Sequence, residues 1–225
     1  MQIVQISAVD IPDAWFQSIY KILDYGNKYQ VQHGSFVGET RLEFDFAVIN
    51  IALPYNSNYD EMRPKIPAQL SIPDPVEPGY IEQYVPYLMT GHKEPNEDYT
   101  YGSRIEDQID YWINRLSKTP NTNQAVLQVA RPEDYQLEDP PCLRHIDMRV
   151  QNDRCLHFYP VLRSWELWSG FPANLAAIAI LQEYMASSIG VKVGEMVATS
   201  KGLHIYGYAE NLVEIRCNKP LMEGP

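Results

Sequence analysis

The sequence predicts a mixed helix and strand fold, of the α+β or mixed α/β class. The chain opens with a pattern typical of an amphipathic helix, and alternating apolar segments typical of strands recur along it. The segment 173–189 is apolar on almost every side, as in a helix buried at the centre of a core. Several strand patterns are close enough to form hairpins, which favours a mixed fold around this helix.

The composition limits the classes of protein to which the chain can belong. It has 225 residues, of which 45% are hydrophobic, enough for a sizeable core. The net charge of −11 disfavours non-specific binding to DNA, which needs clustered lysine and arginine. No apolar run approaches the roughly 20 residues of a membrane helix, and the first residues lack the pattern of a secretory signal. We therefore expect a cytoplasmic protein that binds neither membranes nor DNA.

The three cysteines of the chain show no CxxC pair and no zinc-binding spacing. We expect free thiols, as in a reducing compartment, and no metal site.

The first predicted element is a helix over residues 10–26. Its apolar residues recur at helical spacing and form one face. Asp10 or Asp13 can cap the start of this helix, and Gly26 can end it.

A strand and a proline-rich segment follow. Residues 41–53 alternate between apolar and other side chains, as in a strand buried mainly on one side, and Pro54 ends the pattern. Between residues 54 and 100, eight prolines exclude long helices and central strands. We expect an ordered surface excursion there, with a short helix near residues 81–89.

The second half of the chain contains the remaining predicted elements. Ser103 and Glu106 form a capping box at the start of an amphipathic helix. Residues 173–189 are the central helix, with Gly190 as its C-cap. Strand patterns occur at residues 125–130, 146–150, 156–162, 195–199 and 202–208, of which the second and third are expected to form a hairpin.

Cys142, in Asp139-Pro140-Pro141-Cys142, is the first candidate for chemistry. A cysteine attacks as its thiolate, and a permanent cation such as Arg163, 21 residues later, favours that form. The two prolines fix the direction of the chain into the site. Alternatively, a lone cysteine is simply a small buried apolar residue, and this residue alone leaves both interpretations open.

Arg163 and Ser164 suit an anionic ligand. A guanidinium fork and a neighbouring hydroxyl can together bind a phosphate group. Arg163 could equally form a surface ion pair with Glu166 or another acidic residue.

Polar residues further along could bind a base and a sugar. Asn174 lies near the start of the apolar helix, where it could be an N-cap or an amide that pairs with a base edge. His204 and Tyr206 alternate in a strand, so both rings face one side and could hold a sugar hydroxyl. The alternative for His204 is a packed core histidine.

Taken in order, these motifs resemble the thymidylate synthase family. The resemblance rests on the runs Pro140-Pro141-Cys142, Arg163-Ser164, Gly170-Phe171-Pro172-Ala173-Asn174 and His204-Ile205-Tyr206. It is closest to the short archaeal-type members and covers residues 99–210. It implies a single thymidylate synthase-like domain over residues 1–225, with a predominantly mixed sheet, flanking helices and a sheet face that forms a homodimer.

The resemblance also implies the reductive methylation of dUMP to dTMP. Cys142 would attack C6 of the uracil ring. A reduced pterin, either 5,10-methylenetetrahydrofolate or methylene-tetrahydromethanopterin, would supply a methylene group and then a hydride. Tyr101, in Tyr99-Thr100-Tyr101-Gly102, would help to remove the C5 proton, and the alternative is an aromatic residue of a strand in the core. Asn174 would pair with O4 and N3–H of uracil, since related cytosine-specific hydroxymethylases carry an aspartate there.

The remaining implied roles concern the sugar and the phosphate. Arg163 and Ser164 would bind the 5′-phosphate, and His204 and Tyr206 would bind the ribose hydroxyl. An Arg-Arg pair that normally reaches the phosphate across the dimer is replaced by Asn123-Gln124. Phosphate binding would then depend on Arg163 and Arg41.

Other positions also depart from the family pattern. Leu143 replaces the histidine that usually follows the nucleophile, and Glu166 replaces an aspartate near the base. The catalytic glutamate of the N-terminal half has no clear match, and Glu82 is the candidate. These departures leave two alternatives: a pyrimidine-nucleotide hydroxymethylase, and a nucleotide-binding homologue without catalysis.

Overall fold

Two β-sheets and five α-helices make up the residues that the computed structural model describes, 1–33, 36–95 and 97–221. The strands are β1 (Ile3–Ala8), β2 (Asn27–Gln30), β3 (Thr40–Glu43), β4 (Phe46–Ile51), β5 (Val126–Gln128), β6 (Leu143–Val150), β7 (Cys155–Leu162), β8 (Trp165–Glu166), β9 (Lys192–Ser200) and β10 (Leu203–Tyr206). The helices are α1 (Ile11–Tyr25), α2 (Tyr80–Met89), α3 (Gly102–Lys118), α4 (Gly170–Ile189) and α5 (Gly207–Cys217). Short 3-10 helices lie at Tyr59–Glu61, Ala68–Leu70 and Pro132–Gln136.

Both sheets contain parallel and antiparallel pairs. The larger sheet has the order β1-β4-β9-β7-β6-β5, and the smaller has the order β2-β3-β10-β8. In the larger sheet β1–β4 and β7–β9 are parallel, whereas β4–β9 and β6–β7 are antiparallel. The hairpin predicted from residues 146–150 and 156–162 is the β6–β7 pair. The predicted mixed α/β class is therefore confirmed.

Helix α4 is the centre of the core. It is buried along most of its length, and it packs against β7 and β9 on one side and α1, α2 and α3 on others. Gly190 ends it with φ +83°, a left-handed conformation that glycine adopts without steric cost. The predicted central helix is confirmed, although it begins at Gly170 because Glu166 holds its first turn.

The opening helix is also confirmed. Asp10 caps α1, since its side chain accepts a hydrogen bond from the Asp13 N–H at 2.8 Å. The Asp13 carboxylate in turn accepts from the Val9 N–H at 2.9 Å. These bonds satisfy donors that a helix start leaves free. Strand β1, which precedes this helix, was not predicted.

The single strand predicted at residues 41–53 is wrong, because the structure has two strands in different sheets. The chain crosses from β3 to β4 at Phe44 and Asp45. Phe44 is fully buried, and its N–H donates to the Leu203 carbonyl at 3.0 Å. The Asp45 carboxylate accepts from the Gln2 N–H at 2.7 Å. Apolar side chains continue through the crossing, so the pattern conceals the change of sheet.

Two helix starts differ from the prediction. Ser103 and Glu106 do not form a capping box: Ser103 instead pairs with Thr100, each backbone N–H donating to the other's hydroxyl at 3.0 Å. The strand predicted at residues 202–208 ends at Tyr206, where α5 begins. In α5 only Ala209 and Val213 are buried, so its helical pattern is weak.

None of the helices in the described ranges is long and apolar enough to cross a membrane.

The proline-rich excursion is ordered by a buried arginine. The Arg63 guanidinium donates to Asp60 at 2.5 Å, to Asp74 at 2.7 Å and to the Val76 carbonyl at 3.2 Å. Its side chain is only 10% exposed, so the paired carboxylates are needed to offset the loss of hydration. The predicted short helix in this segment is α2. Val76, to which Arg63 donates, lines a cavity together with the start of α4.

Candidate active site

Cys142 lies immediately before β6, at one end of the β6–β7 pair. The backbone N–H of Arg163, the first residue after β7, donates to the Cys142 carbonyl at 2.8 Å. The register between the two strands shifts between Leu143 and His145, which marks a β-bulge next to the cysteine. Strand pairing therefore fixes the position of the cysteine and brings it beside the arginine.

The Cys142 thiol is not held as a thiolate in this structure. Burial raises its pKa, the charges of Arg163 and Arg144 oppose this rise, and the Asp139 carboxylate adds to it. The Arg163 guanidinium also donates to Asp139 at 2.9 Å and to the Pro140 carbonyl, which reduces its effect on the sulfur. Arg163 thus acts in the direction that the sequence predicts, but burial outweighs it.

Four tyrosines lie near the thiol, and we call Tyr84, Tyr87, Tyr99 and Tyr101 the tyrosine cluster. The rings of Tyr84 and Tyr87 are 5.4 Å apart, and those of Tyr87 and Tyr101 are 5.2 Å apart. Burial raises the pKa of all four, that of Tyr87 to about 12, and a Cys142 thiolate would raise them further. Near neutral pH the cluster therefore offers uncharged hydroxyl groups.

The structure brings Tyr101 to the site but not Glu82. The Tyr101 hydroxyl accepts a hydrogen bond from the Leu143 N–H at 3.3 Å, next to the nucleophile. Glu82 is exposed on α2, two residues from Tyr84 and so on a different side of the helix. Tyr84 and Tyr87 are site residues that sequence reasoning missed, although their spacing places them on one face of a helix.

Asn174 lies one turn into α4, with its amide held by a tryptophan. Its Oδ1 accepts a hydrogen bond from the Trp165 indole N–H at 3.0 Å. The amide nitrogen makes no hydrogen bond to any residue in the described ranges. Asn174 lines a small cavity with Tyr84 and Tyr101, and a second cavity of about 270 Å³ that Tyr80 also lines.

Glu166 organises the start of α4. One carboxylate oxygen accepts from the Trp168 N–H at 2.6 Å. The other accepts from the Ser169 N–H, the Ser169 hydroxyl and the Gly170 N–H, each at 2.8 Å. A negative charge at this end also complements the helix dipole. Glu166 therefore supports Asn174 through the helix, and its oxygens are already occupied.

His204 presents one unpaired nitrogen. Its Nδ1 lies 2.8 Å from the Gly202 carbonyl, which requires the proton on Nδ1, and its buried Nε2 has no partner among the described residues. Burial lowers the pKa of His204, so the ring is neutral and Nε2 is an acceptor. The ring of Tyr206 packs edge-on at 4.6 Å. The two side chains that were predicted to act together are adjacent.

Arg41 and Ser164 flank these residues on either side. Arg41 pairs in register with Tyr206, and its Nε lies 3.0 Å from a Glu43 carboxylate oxygen. Ser164 follows Arg163 and lies beside Gly202, which precedes β10. A Cβ atom built at Gly202 would lie 3.3 Å from the Ser164 Cα and 2.8 Å from the Arg163 carbonyl oxygen. Only glycine allows the chain before β10 to approach this closely.

Comparison with known proteins places the chain in a family. A family model described as thymidylate synthase matches residues 3–225. The chain belongs to the thymidylate synthase family. These proteins are methyltransferase enzymes that bind dUMP and a folate-type donor.

Archaeal relatives match almost the full chain. A Methanosarcina barkeri protein named "Putative thymidylate synthase" is 28% identical over 216 residues, covering 93% of this chain and 92% of that protein. A Methanothermobacter marburgensis protein of the same name is 27% identical over 214 residues, covering 90% and 92%. The thermostable thymidylate synthase A from Bacillus subtilis has the same fold, with a TM-score of 0.71 and 17% identity over 96% of this chain and 87% of that one.

A cavity of about 560 Å³ next to Arg163 is lined by four basic side chains, although the chain has a net charge of −11. We call it the cationic cavity, since Arg131, Arg144, Arg163 and Lys201 line it, together with the single acidic residue Asp134, which is paired with Arg104. Among these four cations, only Arg163 forms an ion pair with a described residue. Asn123-Gln124, at the position where the resemblance implies an arginine pair, are exposed and do not line the cavity. Sequence reasoning missed the other three cations because they come from distant segments.

Proposed function

We propose that this protein converts dUMP to dTMP by reductive methylation, through a covalent adduct between Cys142 Sγ and C6 of uracil. The observation that carries the proposal is that Tyr101 and Asn174 line one small cavity with Leu143, the residue next to Cys142. A Cys142 thiolate lies near enough to raise the pKa of Tyr101, and the Asn174 amide nitrogen makes no hydrogen bond to a described residue. A nucleophile, a neutral hydroxyl and an amide donor suit addition to a pyrimidine whose carbonyl takes up charge.

The ribose is proposed to lie against β10. The unpaired Nε2 of His204 would accept a hydrogen bond from the ribose hydroxyl, and Tyr206 would close the same side. A buried acceptor without a partner is costly, so a ligand that supplies the missing donor gains binding energy there.

The 5′-phosphate is proposed to lie at the cationic cavity. Arg163 lines this cavity and Ser164 follows it directly in the chain. Arg131, Arg144 and Lys201 add charges that form no ion pair with a described carboxylate, and the Asp134 carboxylate in the same lining is paired with Arg104. These residues would replace the cross-dimer arginines. Because the phosphate is a dianion and the chain as a whole is acidic, such a local concentration of cations is needed to bind it. Arg41 would add positive charge behind the ribose.

Several residues have separate tasks in the first step. The Cys142 thiol must lose its proton, and Arg163 and Arg144 are the charges that favour the thiolate against burial. Attack at C6 leaves an enolate at C4, whose oxygen the Asn174 amide nitrogen would stabilise by donating a hydrogen bond. Burial raises the pKa of Tyr101, so its phenolate is rarely formed near neutral pH, and the neutral hydroxyl is a poor base. We therefore propose that Tyr101 orients the acceptor of the C5 proton.

The one-carbon donor is proposed to occupy the cavity of about 270 Å³ between α2 and α4. Tyr80 offers a flat ring, Glu77 a carboxylate that can accept from a pterin amino group, and Gly170 an open approach at the helix start. These residues fit the pterin of 5,10-methylenetetrahydrofolate or methylene-tetrahydromethanopterin. When bound, the donor supplies the methylene carbon and the hydride.

The proposed adduct can be trapped with 5-fluoro-dUMP, whose C5 fluorine cannot leave as a proton does. Wild-type protein incubated with this analogue and either donor should gain the mass of both in denaturing mass spectrometry. Cys142→Ser should gain none, and Cys155→Ser, at the far end of β7, should behave as wild type. Wild-type protein with no added mass under both donors would overturn the proposal. With dUMP itself, a 5-hydroxymethyl product instead of dTMP would identify a hydroxymethylase.

The active unit is proposed to be a homodimer of one domain per chain. The face of the larger sheet that turns away from α4 carries half-buried apolar side chains, including Phe46, Val48, Val161 and Val197. Val48 and Val161 both pair with Thr199, so they form a row across β4, β9 and β7. The cationic cavity opens beside this row, which would place the phosphate site next to the dimer interface.

A further inference from the structure

The Trp165 indole determines which way the Asn174 amide points. An indole N–H can only donate, so the atom that faces it at 3.0 Å must be the amide oxygen and not the nitrogen. The amide nitrogen is then on the side away from the indole N–H, and Asn174 lines two cavities. The orientation is thus set by a side chain of the protein and does not depend on a ligand.

Both partners of this hydrogen bond are held rigidly. Trp165 is 2% exposed, its ring packs 4.5 Å from that of Phe171, and its backbone N–H donates to the Gly202 carbonyl at 2.8 Å. Asn174 is fixed by α4, whose first turn is held by the Glu166 carboxylate. A rotation of the amide would therefore not be accommodated by movement of the tryptophan.

We infer that Trp165 sets the preference of the proposed site for uracil over cytosine by holding the Asn174 amide with its NH2 group toward the base. The inference rests on the proposed function. Uracil has an acceptor oxygen at position 4, to which the fixed NH2 group can donate, whereas cytosine has an amino group there. To serve cytosine the amide would have to rotate, which would place its NH2 group against the indole N–H. Trp165 is a positioning residue, because it acts only through Asn174.

Trp165→Phe tests the inference by removing the N–H while keeping an aromatic ring against Phe171. Isothermal titration calorimetry measures the Kd of dUMP and of dCMP for each variant. The Kd of dCMP divided by the Kd of dUMP should fall roughly tenfold in this variant, which is the effect of about one neutral hydrogen bond. Trp168→Phe is the matched control, since that indole is also buried and lies against Trp15, 5.3 Å between ring centres. It should leave the ratio unchanged.

The outcomes separate this inference from the proposed function. A folded Trp165→Phe protein with the wild-type ratio overturns the inference, even where the Cys142 adduct with 5-fluoro-dUMP still forms. Wild-type protein that binds neither nucleotide and forms no adduct overturns the proposed function and the inference together. Should the phenylalanine variant not fold, Trp165→Met removes the same donor with a flexible apolar side chain, and the same shift in the ratio is expected.

Discussion

At the scale of single residues, burial makes the candidate site electrically neutral at its centre. It raises the pKa of the Cys142 thiol and of Tyr84, and it lowers the pKa of His204. Near neutral pH these groups carry no charge, whereas Arg163 at the edge stays cationic. A neutral centre with a charged edge suits a ligand made of an uncharged base and an anionic group.

The raised pKa of Cys142 has a consequence that can be measured by alkylation with iodoacetamide. Only the thiolate reacts, so in a Cys155→Ser, Cys217→Ser background the rate should rise with pH around a midpoint above the usual thiol value of about 8.5. Arg163→Gln removes a charge that lowers the pKa, so the midpoint should move to still higher pH. Arg149→Gln, an exposed change on β6, is the control. A midpoint at or below the usual value would contradict this account.

At the scale of secondary structure, the start of α4 connects the sheet to the base-binding residue. Glu166 makes four hydrogen bonds there, and Asn174 follows one turn later. We expect Glu166→Ala to lower the free energy of unfolding by about 2 kcal/mol, since bonds to a charged acceptor and a helix-end charge are lost together. Urea denaturation measures the loss, and Glu195→Ala, an exposed glutamate on β9, is the matched control. Equal stability of the two variants would show that Glu166 does not hold the helix.

The elements that the sequence predicts well are those with strong local patterns. The central helix is apolar almost all round and the β6–β7 strands pair with close neighbours, so local pattern and tertiary structure agree. The crossing at Phe44–Asp45 was not predictable, because a buried strand pattern does not record which sheet the strand joins. Helix α5 was missed since its burial depends on packing against α1, β3 and β10, not on its own periodicity.

At the scale of the whole molecule, the candidate site is built where the two sheets meet. Cys142 immediately precedes β6 of the larger sheet, His204 lies in β10 of the smaller sheet, and Arg163 lies in the connection that leads from β7 to β8. The order of motifs in the sequence was enough to name most of these residues. It was not enough to find the tyrosine cluster or the cationic cavity, because their members are brought together only by long-range packing.

The proposed dimer predicts how a charge on the sheet face should act. Val48 is half-buried on the face away from α4, so an aspartate there remains hydrated in a monomer but becomes buried without a partner in the dimer. We expect Val48→Asp to weaken dimerisation by at least 3 kcal/mol, about 100-fold or more in Kd, with unchanged circular dichroism. Tyr111 lies on α3 and is 60% exposed, so the control variant Tyr111→Asp should leave the dimer intact. Sedimentation velocity over a range of concentrations measures both. This face is not the interface if the wild-type protein is monomeric at every concentration, or if the Val48→Asp protein dimerises equally well. The cationic cavity would then have to bind phosphate within a single chain.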